Sequence, residues 1–266
     1  MKGIALMLSV TLALVLATAG GIYYSVNNVG KKIEHIFAQD VEETTKTVPF
    51  SLSGILDATT ANGSITITGH DEPTMIINII KKGKKEHFGD VAVEETIAQD
   101  HVNLNCNYRT KMASPYNYDT VAVSYEITLP KTTTVTCTTV NGALYITDVT
   151  GVIQSASNNG SVTCTDTPQV ARAQTVNGSV TLETNALTVS SCSLQTVNGS
   201  IDFHAERLTS ESVTLSSVNG SVSLEVPSPL TTEGSKKHLS CISGKTKIEA
   251  STVNGRISAT TIAQTN

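Results

Sequence analysis

The 266-residue sequence is poor in the residues that helical, disulfide-bonded and nucleic-acid-binding proteins use most. It has no Trp, only 4% aromatic residues and only 15% charged residues, whereas 39% are hydrophobic. Val, Ile and Thr dominate most windows, and these residues favour a pleated, half-buried sheet. The net charge of −5 excludes a general nucleic-acid binder, because phosphate binding needs a basic face. The composition therefore predicts an all-β protein.

Cysteine chemistry and catalytic motifs are also missing. The cysteine count is odd, and neither C-x-x-C nor a Cys/His metal spacing occurs. Ser-His-Asp nucleophile patterns, Gly-rich phosphate loops and zinc motifs are absent too. We therefore predict a protein that is not an enzyme and has no metal or cofactor. Its cysteines are expected to pack as small hydrophobes: Cys106, Cys137, Cys164, Cys192 and Cys241.

Residues 1–32 differ from the rest of the chain. Lys2 precedes an apolar run, and Ala17-Thr18-Ala19 fits a signal-peptidase site. Apolar character continues to residue 26, which is long enough for an uncleaved transmembrane helix. The sequence leaves open whether this segment is a cleaved signal peptide or a membrane anchor. Either reading predicts export to a membrane-anchored, periplasmic or extracellular location. Residues 33–47 are polar and are interpreted as a linker.

An Asn-Gly repeat organises the second half of the chain. Six copies follow one another at spacings of 18, 18, 21, 21 and 35 residues, and a seventh copy stands alone near the start. The long last spacing is one period plus a loop-like insertion around residues 227–237. The repeated pairs are Asn62-Gly63, Asn141-Gly142, Asn159-Gly160, Asn177-Gly178, Asn198-Gly199, Asn219-Gly220 and Asn254-Gly255.

Each repeat predicts two short strands with an Asn-Gly corner between them. Alternate residues on both sides of the corner are apolar, so each strand has one buried face. Asn-Gly is also a strong hairpin signal, and an antiparallel meander is therefore the alternative. Copy-on-copy alignment of the apolar columns favours a parallel β-solenoid in which successive coils stack. In that solenoid the Asn side chains would form a hydrogen-bonded ladder, and the glycines would supply a left-handed or closely approached corner.

The first half of the chain has strand-like segments without a clean period. We divide the chain at residues 134/135, with residues 48–134 forming a β-rich part that caps the first coil and residues 135–266 forming the solenoid. The segments around Val91 and Val102 alternate well and are predicted to pair.

Carboxylates at matching repeat positions are the nearest approach to a catalytic group. Asp148 and Asp166 each stand seven residues after an Asn, one coil apart, but no basic residue shares their column. Asp202 and His204 share an outward face with Glu183. Both groups are interpreted as solvated surface.

The order of these pieces resembles the putative-adhesin family of bacterial envelope proteins, a DUF-type family with a β-solenoid core. The resemblance rests on Thr60-Ala61-Asn62-Gly63-Ser64-Ile65-Thr66-Ile67-Thr68-Gly69, on Val123-Ser124-Tyr125-Glu126-Ile127-Thr128-Leu129-Pro130 and on the repeated Thr-Val-Asn-Gly-Ser-Val. It covers residues 48–262, and His70 stands where the family has an aromatic residue. The resemblance implies a surface adhesion role and brings no catalytic residues with it.

Two functional hypotheses follow from the sequence. The first is a noncatalytic envelope module for adhesion, scaffolding or signalling, with envelope polymers, surface glycans or envelope proteins as partners. Nucleic acid is excluded as a partner, and membrane contact comes through the N-terminal segment if it is uncleaved. The alternative is a carbohydrate-active β-helix enzyme, either a polysaccharide lyase or a hydrolase, which would need clustered carboxylates beside a basic residue.

Overall fold

Strands form nearly all of the regular structure in the computed structural model, which describes residues 39–108, 121–227, 230–235, 237–243 and 245–262. The predicted export segment lies outside these residues. The first strands are β1 (Asp40–Pro49), β2 (Ile55–Asn62), β3 (Ile65–His70), β4 (Thr74–Gly83), β5 (Val91–Ile97), β6 (His101–Tyr108) and β7 (Ala122–Pro130), with a 3-10 helix at Lys85–Asp90. Among the described residues, no helix has the length and apolar character needed to cross a bilayer.

The remaining strands are shorter and follow the repeat. They are β8 (Thr134–Asn141), β9 (Leu144–Thr147), β10 (Ile153–Ser157), β11 (Val162–Thr165), β12 (Val170–Thr175), β13 (Val180–Thr184), β14 (Ser191–Thr196), β15 (Ile201–Ala205), β16 (Ser212–Ser217), β17 (Val222–Pro227), β18 (Leu230–Ser235), β19 (His238–Ser243), β20 (Thr246–Thr252) and β21 (Ile257–Ile262).

Two sheets contain all of these strands. Sheet A has the order β1-β4-β7-β3-β9-β11-β13-β15-β17-β21, and sheet B has the order β18-β19-β20-β16-β14-β12-β10-β8-β2-β6-β5. From β8 to β17, consecutive strands alternate between the sheets, so each coil contributes one strand to each sheet. The chain is therefore all-β with parallel sheets.

The strand pairing decides between the stacked coils and the meander. β13 pairs with β15 in parallel, with Leu182 opposite Phe203, and β15 pairs with β17 in parallel. In a meander β13 would instead run antiparallel to β14, which lies in the other sheet. The parallel stacking predicted from the aligned columns is confirmed.

The isolated first Asn-Gly copy belongs to the same stack. β2 pairs with β8 so that Asn62 lies opposite Asn141, and β3 pairs with β9. Both sheets thus run through the division proposed at residues 134/135. The segments around Val91 and Val102 pair antiparallel as predicted. β4 runs antiparallel to β7, and together with β1 these strands extend sheet A beyond the first coil.

Part of the segment interpreted as a linker is a strand. Residues 40–47 lie in β1, the outermost strand of sheet A, whose first six residues are all exposed. An edge strand whose two faces are both exposed to solvent lacks the apolar alternation that identifies a strand from sequence. The insertion near residue 230 also forms strands, because β18 and β19 make an antiparallel hairpin that adds to β20.

The core is the layer between the two sheets. Alternate residues of each coil face inward, and most are completely buried. Each inward side chain lies against its equivalents in the coils before and after it, as Phe203 lies between Leu182 and Leu224. This arrangement makes stability a sum of contacts between neighbouring coils.

We predict that Phe203→Asp destabilises the stack by at least about 3 kcal/mol, because it removes a buried aromatic ring and buries an unpaired carboxylate. Amide hydrogen exchange should accelerate first in the coils on either side of Phe203. Thr163→Asp, on the outward face of β11, is the control and should change the melting temperature little. Equal effects of the two substitutions would contradict the assignment of inward and outward faces.

Candidate functional site

The Asn-Gly corners lie one above another along one side of the stack. Each Asn donates its side-chain amide to the side-chain carbonyl of the Asn in the preceding coil. The ladder runs from Asn141 Nδ2 to Asn62 Oδ1 at 2.6 Å and continues through Asn159, Asn177, Asn198, Asn219 and Asn254 at 2.6–2.7 Å per step. Identical amides in register satisfy one another, as they do in stacked parallel strands.

The corner glycines are needed for space. In Gly142, Gly160, Gly178, Gly199, Gly220 and Gly255, an added Cβ would overlap the carbonyl oxygen of the corner glycine in the preceding coil. The sequence left two explanations for these glycines, a left-handed backbone conformation or the close approach of two backbones. Among these corners, only Gly63 has a positive φ, at 156°. Close approach of the backbones is therefore the reason for glycine at the other six corners.

A second column at the corner was missed in the sequence. The residue two before each Asn is Thr or Ser, and its buried hydroxyl donates to the carbonyl oxygen of the preceding coil's corner glycine at 2.7–2.9 Å. A hydroxyl two positions before Asn in every copy was the signal that could have revealed this column. Its members are Thr139, Ser157, Thr175, Thr196, Ser217 and Thr252, and Thr60 donates to Val123 in the same way.

The opposite corner contains Asp148 and Asp166. Both adopt left-handed backbone conformations, with φ of 58° and 52°, and both are exposed. Asp tolerates this conformation better than most residues. Their backbone N–H groups donate to Thr165 and Glu183 of the following coil. These positions are turn residues, and within the described ranges no group of three His, Cys, Asp or Glu side chains is placed to hold a metal ion.

The outward patch on sheet A contains one close pair. His204 Nδ1 lies 3.1 Å from Glu225 Oε2, and both side chains are more than a third exposed. A pair with this much exposure contributes little to stability. Asp202 is exposed on the same strand. The patch is solvated, as the sequence indicated.

Four of the described thiols are buried in the core, Cys106 in β6 and three in the inward columns of the coils. Cys137, Cys164 and Cys192 are at most 1% exposed and are not disulfide-bonded. Burial raises the pKa of the Cys164 and Cys192 thiols to about 12 and also raises the pKa of Cys137. A thiol must ionise to act as a nucleophile, so these groups are inert while the protein is folded.

A groove runs beside the Asn ladder on the outer side of sheet B. It has a volume of about 560 Å³ and extends over five coils, which corresponds to roughly 20 Å at the spacing of paired strands. One wall is a column of valines, each between 37% and 41% exposed, interrupted by Asn158. The floor consists of small and amide side chains, and none of the lining residues is charged. The wall is Val140, Val176, Val197 and Val218, and the floor is Thr138, Ala156, Gln174, Gln195 and Ser216.

The corner holds this wall in place. The backbone N–H groups of Asn198 and Asn219 donate to the carbonyl oxygens of Val176 and Val197 in the preceding coil, at 2.7 and 2.6 Å. The floor residues pair in register, with Gln174 opposite Gln195. The groove is consequently a fixed, regularly spaced surface that combines exposed methyl groups with hydrogen-bonding amides and hydroxyls.

No family model and no curated protein matches the chain. Solved structures do match. A putative cell adhesion protein from Clostridium sporogenes ATCC 15579 is 11% identical, covers 85% of this chain and 100% of its own, and has a TM-score of 0.40. A putative adhesin from Bacteroides fragilis NCTC 9343 is 14% identical, covers 84% and 95%, and also has a TM-score of 0.40. A putative adhesin from Parabacteroides merdae ATCC 43184 is 8% identical, covers 84% and 96%, and has a TM-score of 0.30. These names agree with the adhesin resemblance found in the sequence, and at this level of similarity they carry no argument about a ligand.

We predict that Gly199→Ala lowers the free energy of unfolding by about 1–3 kcal/mol, because the added methyl group overlaps the Gly178 carbonyl oxygen. Gly89→Ala is the matched control, since its Cβ would meet no atom within 4 Å. Chemical denaturation of both variants measures the difference. A Gly199 variant as stable as the wild type would show that the coils are not in contact at this corner.

We further predict that Cys137, Cys164 and Cys192 resist maleimide in the native protein at pH 8 and react only after denaturation. The physical reason is their burial, which excludes the reagent and keeps the thiols protonated. Labelling followed by peptide mass mapping identifies the modified positions. Rapid native labelling of any of the three would contradict the inward column.

Proposed function

We propose that the chain is a noncatalytic binding module of the bacterial cell envelope, and that the groove beside the Asn ladder contacts an uncharged, extended envelope glycan. The observation that carries this proposal is the uncharged lining of the groove over five coils. The lining has no charge of its own to offset the desolvation of an ionic ligand, and the nearby Arg172 guanidinium is hydrogen-bonded to Gln174. Hydroxyl-rich neutral polymers lose less on binding such a surface.

The chemistry of the groove fits a sugar chain. The valine wall offers apolar contact to the C–H faces of sugar rings, and Gln195 on the floor offers a donor and an acceptor to hydroxyl groups. Gln174 offers its side-chain N–H, since its Oε1 accepts a hydrogen bond from Arg172 at 2.6 Å. Equal coil spacing repeats these contacts, so a long polymer gains from several weak contacts at once. Adhesion or scaffolding in the envelope is the role that such a surface supports.

Export is part of the proposal. The apolar segment and the predicted signal-peptidase site in residues 1–32 support transport out of the cytoplasm. The module would then stand in the envelope, either anchored by this segment or released after cleavage.

The enzyme alternative receives little support from the carboxylates. Asp148 and Asp166 are exposed turn residues, and the groove lies beside the opposite corner. Glycoside hydrolysis needs two carboxyl groups on either side of the scissile bond. Among the described residues, no carboxyl group lines the groove.

The test is binding of the full chain to a panel of neutral and acidic cell-envelope polysaccharides, with product release measured in parallel. We expect binding to a neutral polymer, no new reducing or unsaturated ends, and at least about tenfold weaker binding by Val197→Asp, which places a charge in the wall. Tyr145→Asp removes an exposed apolar side chain from sheet A and should leave binding unchanged. Preference for acidic polymers, or equal loss in both variants, would reject the groove, and product release above blank would support the enzyme.

A further inference from the structure

The two ends of the stack differ in how far each sheet extends beyond the last coil. At the N-terminal end both sheets continue beyond the first coil, sheet A through β7, β4 and β1 and sheet B through β6 and β5. Lys46 of β1 joins Glu95 of β5 through an ion pair of 2.6 Å, so the outer strands of the two sheets are linked. At the C-terminal end sheet B continues past β20 through β19 and β18, whereas among residues up to 262 sheet A has β21 as its last described strand. Sheet B therefore overhangs sheet A by two strands, or roughly 10 Å.

The overhang leaves the inner face of β21 uncovered. Ala259 and Thr261 pair with Leu224 and Val226 of β17, which are at most 1% exposed. Although they occupy the same inward columns, Ala259 and Thr261 are both exposed. Within the part of the chain that the structure describes, the last strand of sheet A is thus a core strand without a neighbour on its outer side.

The free edge of β21 also has unused hydrogen-bonding groups. The Val222 N–H donates to the Arg256 carbonyl oxygen at 2.7 Å, so the ladder to β17 uses the even-numbered residues of β21. In a parallel pair, the backbone groups of the odd-numbered residues then point away from β17. Ile257, Ala259 and Thr261 therefore present their N–H and C=O groups at the open edge.

The charge of this edge distinguishes it from the edges at the other end. β21 contains no charged residue, although the exposed Arg256 directly precedes it, whereas β1 contains Asp40, Glu42, Glu43 and Lys46, and β5 contains Glu94 and Glu95. Charged edge strands discourage pairing with another chain, and an uncharged edge permits it.

The Asn ladder ends beside the same edge. Asn254 donates to Asn219 at 2.6 Å, and its own Oδ1 receives no hydrogen bond from a described residue. At the earlier corners the glycine carbonyl oxygen accepts from the following coil, as Gly220 does from Thr252, and the same pattern would direct the Gly255 carbonyl oxygen toward an added strand. An incoming strand that begins with Asn-Gly would continue the ladder as well as the sheet.

We propose that the free edge of β21 binds an extended segment of a partner polypeptide, which adds to sheet A as a parallel strand. The segment is uncharged where it meets the shelf formed by β19 and β18, it has apolar side chains at alternate positions, and it enters through Asn-Gly. Two copies of this chain meeting through β21 would bring both overhanging hairpins into the same space, so the occupant is a single strand. This inference is independent of the groove and of its ligand.

The probe is a fluorescent peptide, NGSVTLET, which copies residues 177–184 and has apolar residues at alternate positions after its Asn-Gly. We expect saturable binding to the full chain, measured by fluorescence anisotropy. Amide exchange at Ile257, Ala259 and Thr261 should slow on binding, while Ser258 and Thr260, already bonded to β17, change little. A peptide with lysine in place of Val180 and Leu182 should not bind.

Two neighbouring substitutions provide the matched test. Ala259→Lys places a charge on the inner face of the open edge and should weaken binding by at least about tenfold. Ser258→Lys places the same charge on the outer face and should leave binding unchanged. Ala259→Pro removes one free N–H without breaking a bond to β17 and should also weaken binding.

Three results would overturn the proposal. They are no saturable binding of the peptide, equal binding by both lysine variants, and protection of residues far from β21 in place of the odd-numbered ones. Concentration-dependent self-association that Ala259→Lys abolishes would show that the edge pairs with a second copy, and it would overturn the assignment of a partner strand.

Discussion

Backbone contact between corner glycines is the constraint on which the stack depends. The carbonyl oxygen of one corner glycine lies where the next glycine would have its Cβ, so each coil rests directly on the backbone of the coil before it. The buried Thr or Ser hydroxyl binds that same oxygen, and the neighbouring Asn bonds to its equivalent. A buried carbonyl without a donor would be unfavourable, and the hydroxyl removes that cost. Three positions within four consecutive residues, such as Thr196, Asn198 and Gly199, thus act together to fix the spacing of the coils.

Much of this architecture could be predicted from the sequence, because the repeat imposes the same pattern on every coil. The alternation around Asn198 and Asn219 is enough to predict inward columns, parallel stacking and a ladder. The hydroxyl at Thr196 has an equally regular position, but Thr and Ser are common throughout the chain and the column does not stand out from them. The sequence could not show why position 199 is glycine, because close approach of two backbones and a left-handed conformation both favour glycine. Only the positions of two neighbouring coils distinguish these two explanations.

The features that could not be predicted are not marked by the repeat. β1 has no apolar alternation, because both of its faces are wet along most of its length. The groove could not be foreseen either, since the sequence presents Val197 and Gln195 simply as outward residues. The folded coils place these two columns side by side in one groove. The site therefore depends on the shape of the corner as well as on the residue types.

The distance along the chain between neighbouring coils has a kinetic consequence. Asn62 bonds to Asn141 as closely as Asn177 bonds to Asn159, although 79 residues separate the first pair and 18 the second. Closing the longer loop costs about 1 kcal/mol more, because loop-closure entropy grows with the logarithm of length. Local contacts form fastest. We therefore expect the middle coils to assemble first and to serve as a template onto which the N-terminal coil docks last, the reverse of the order in which the chain is synthesised.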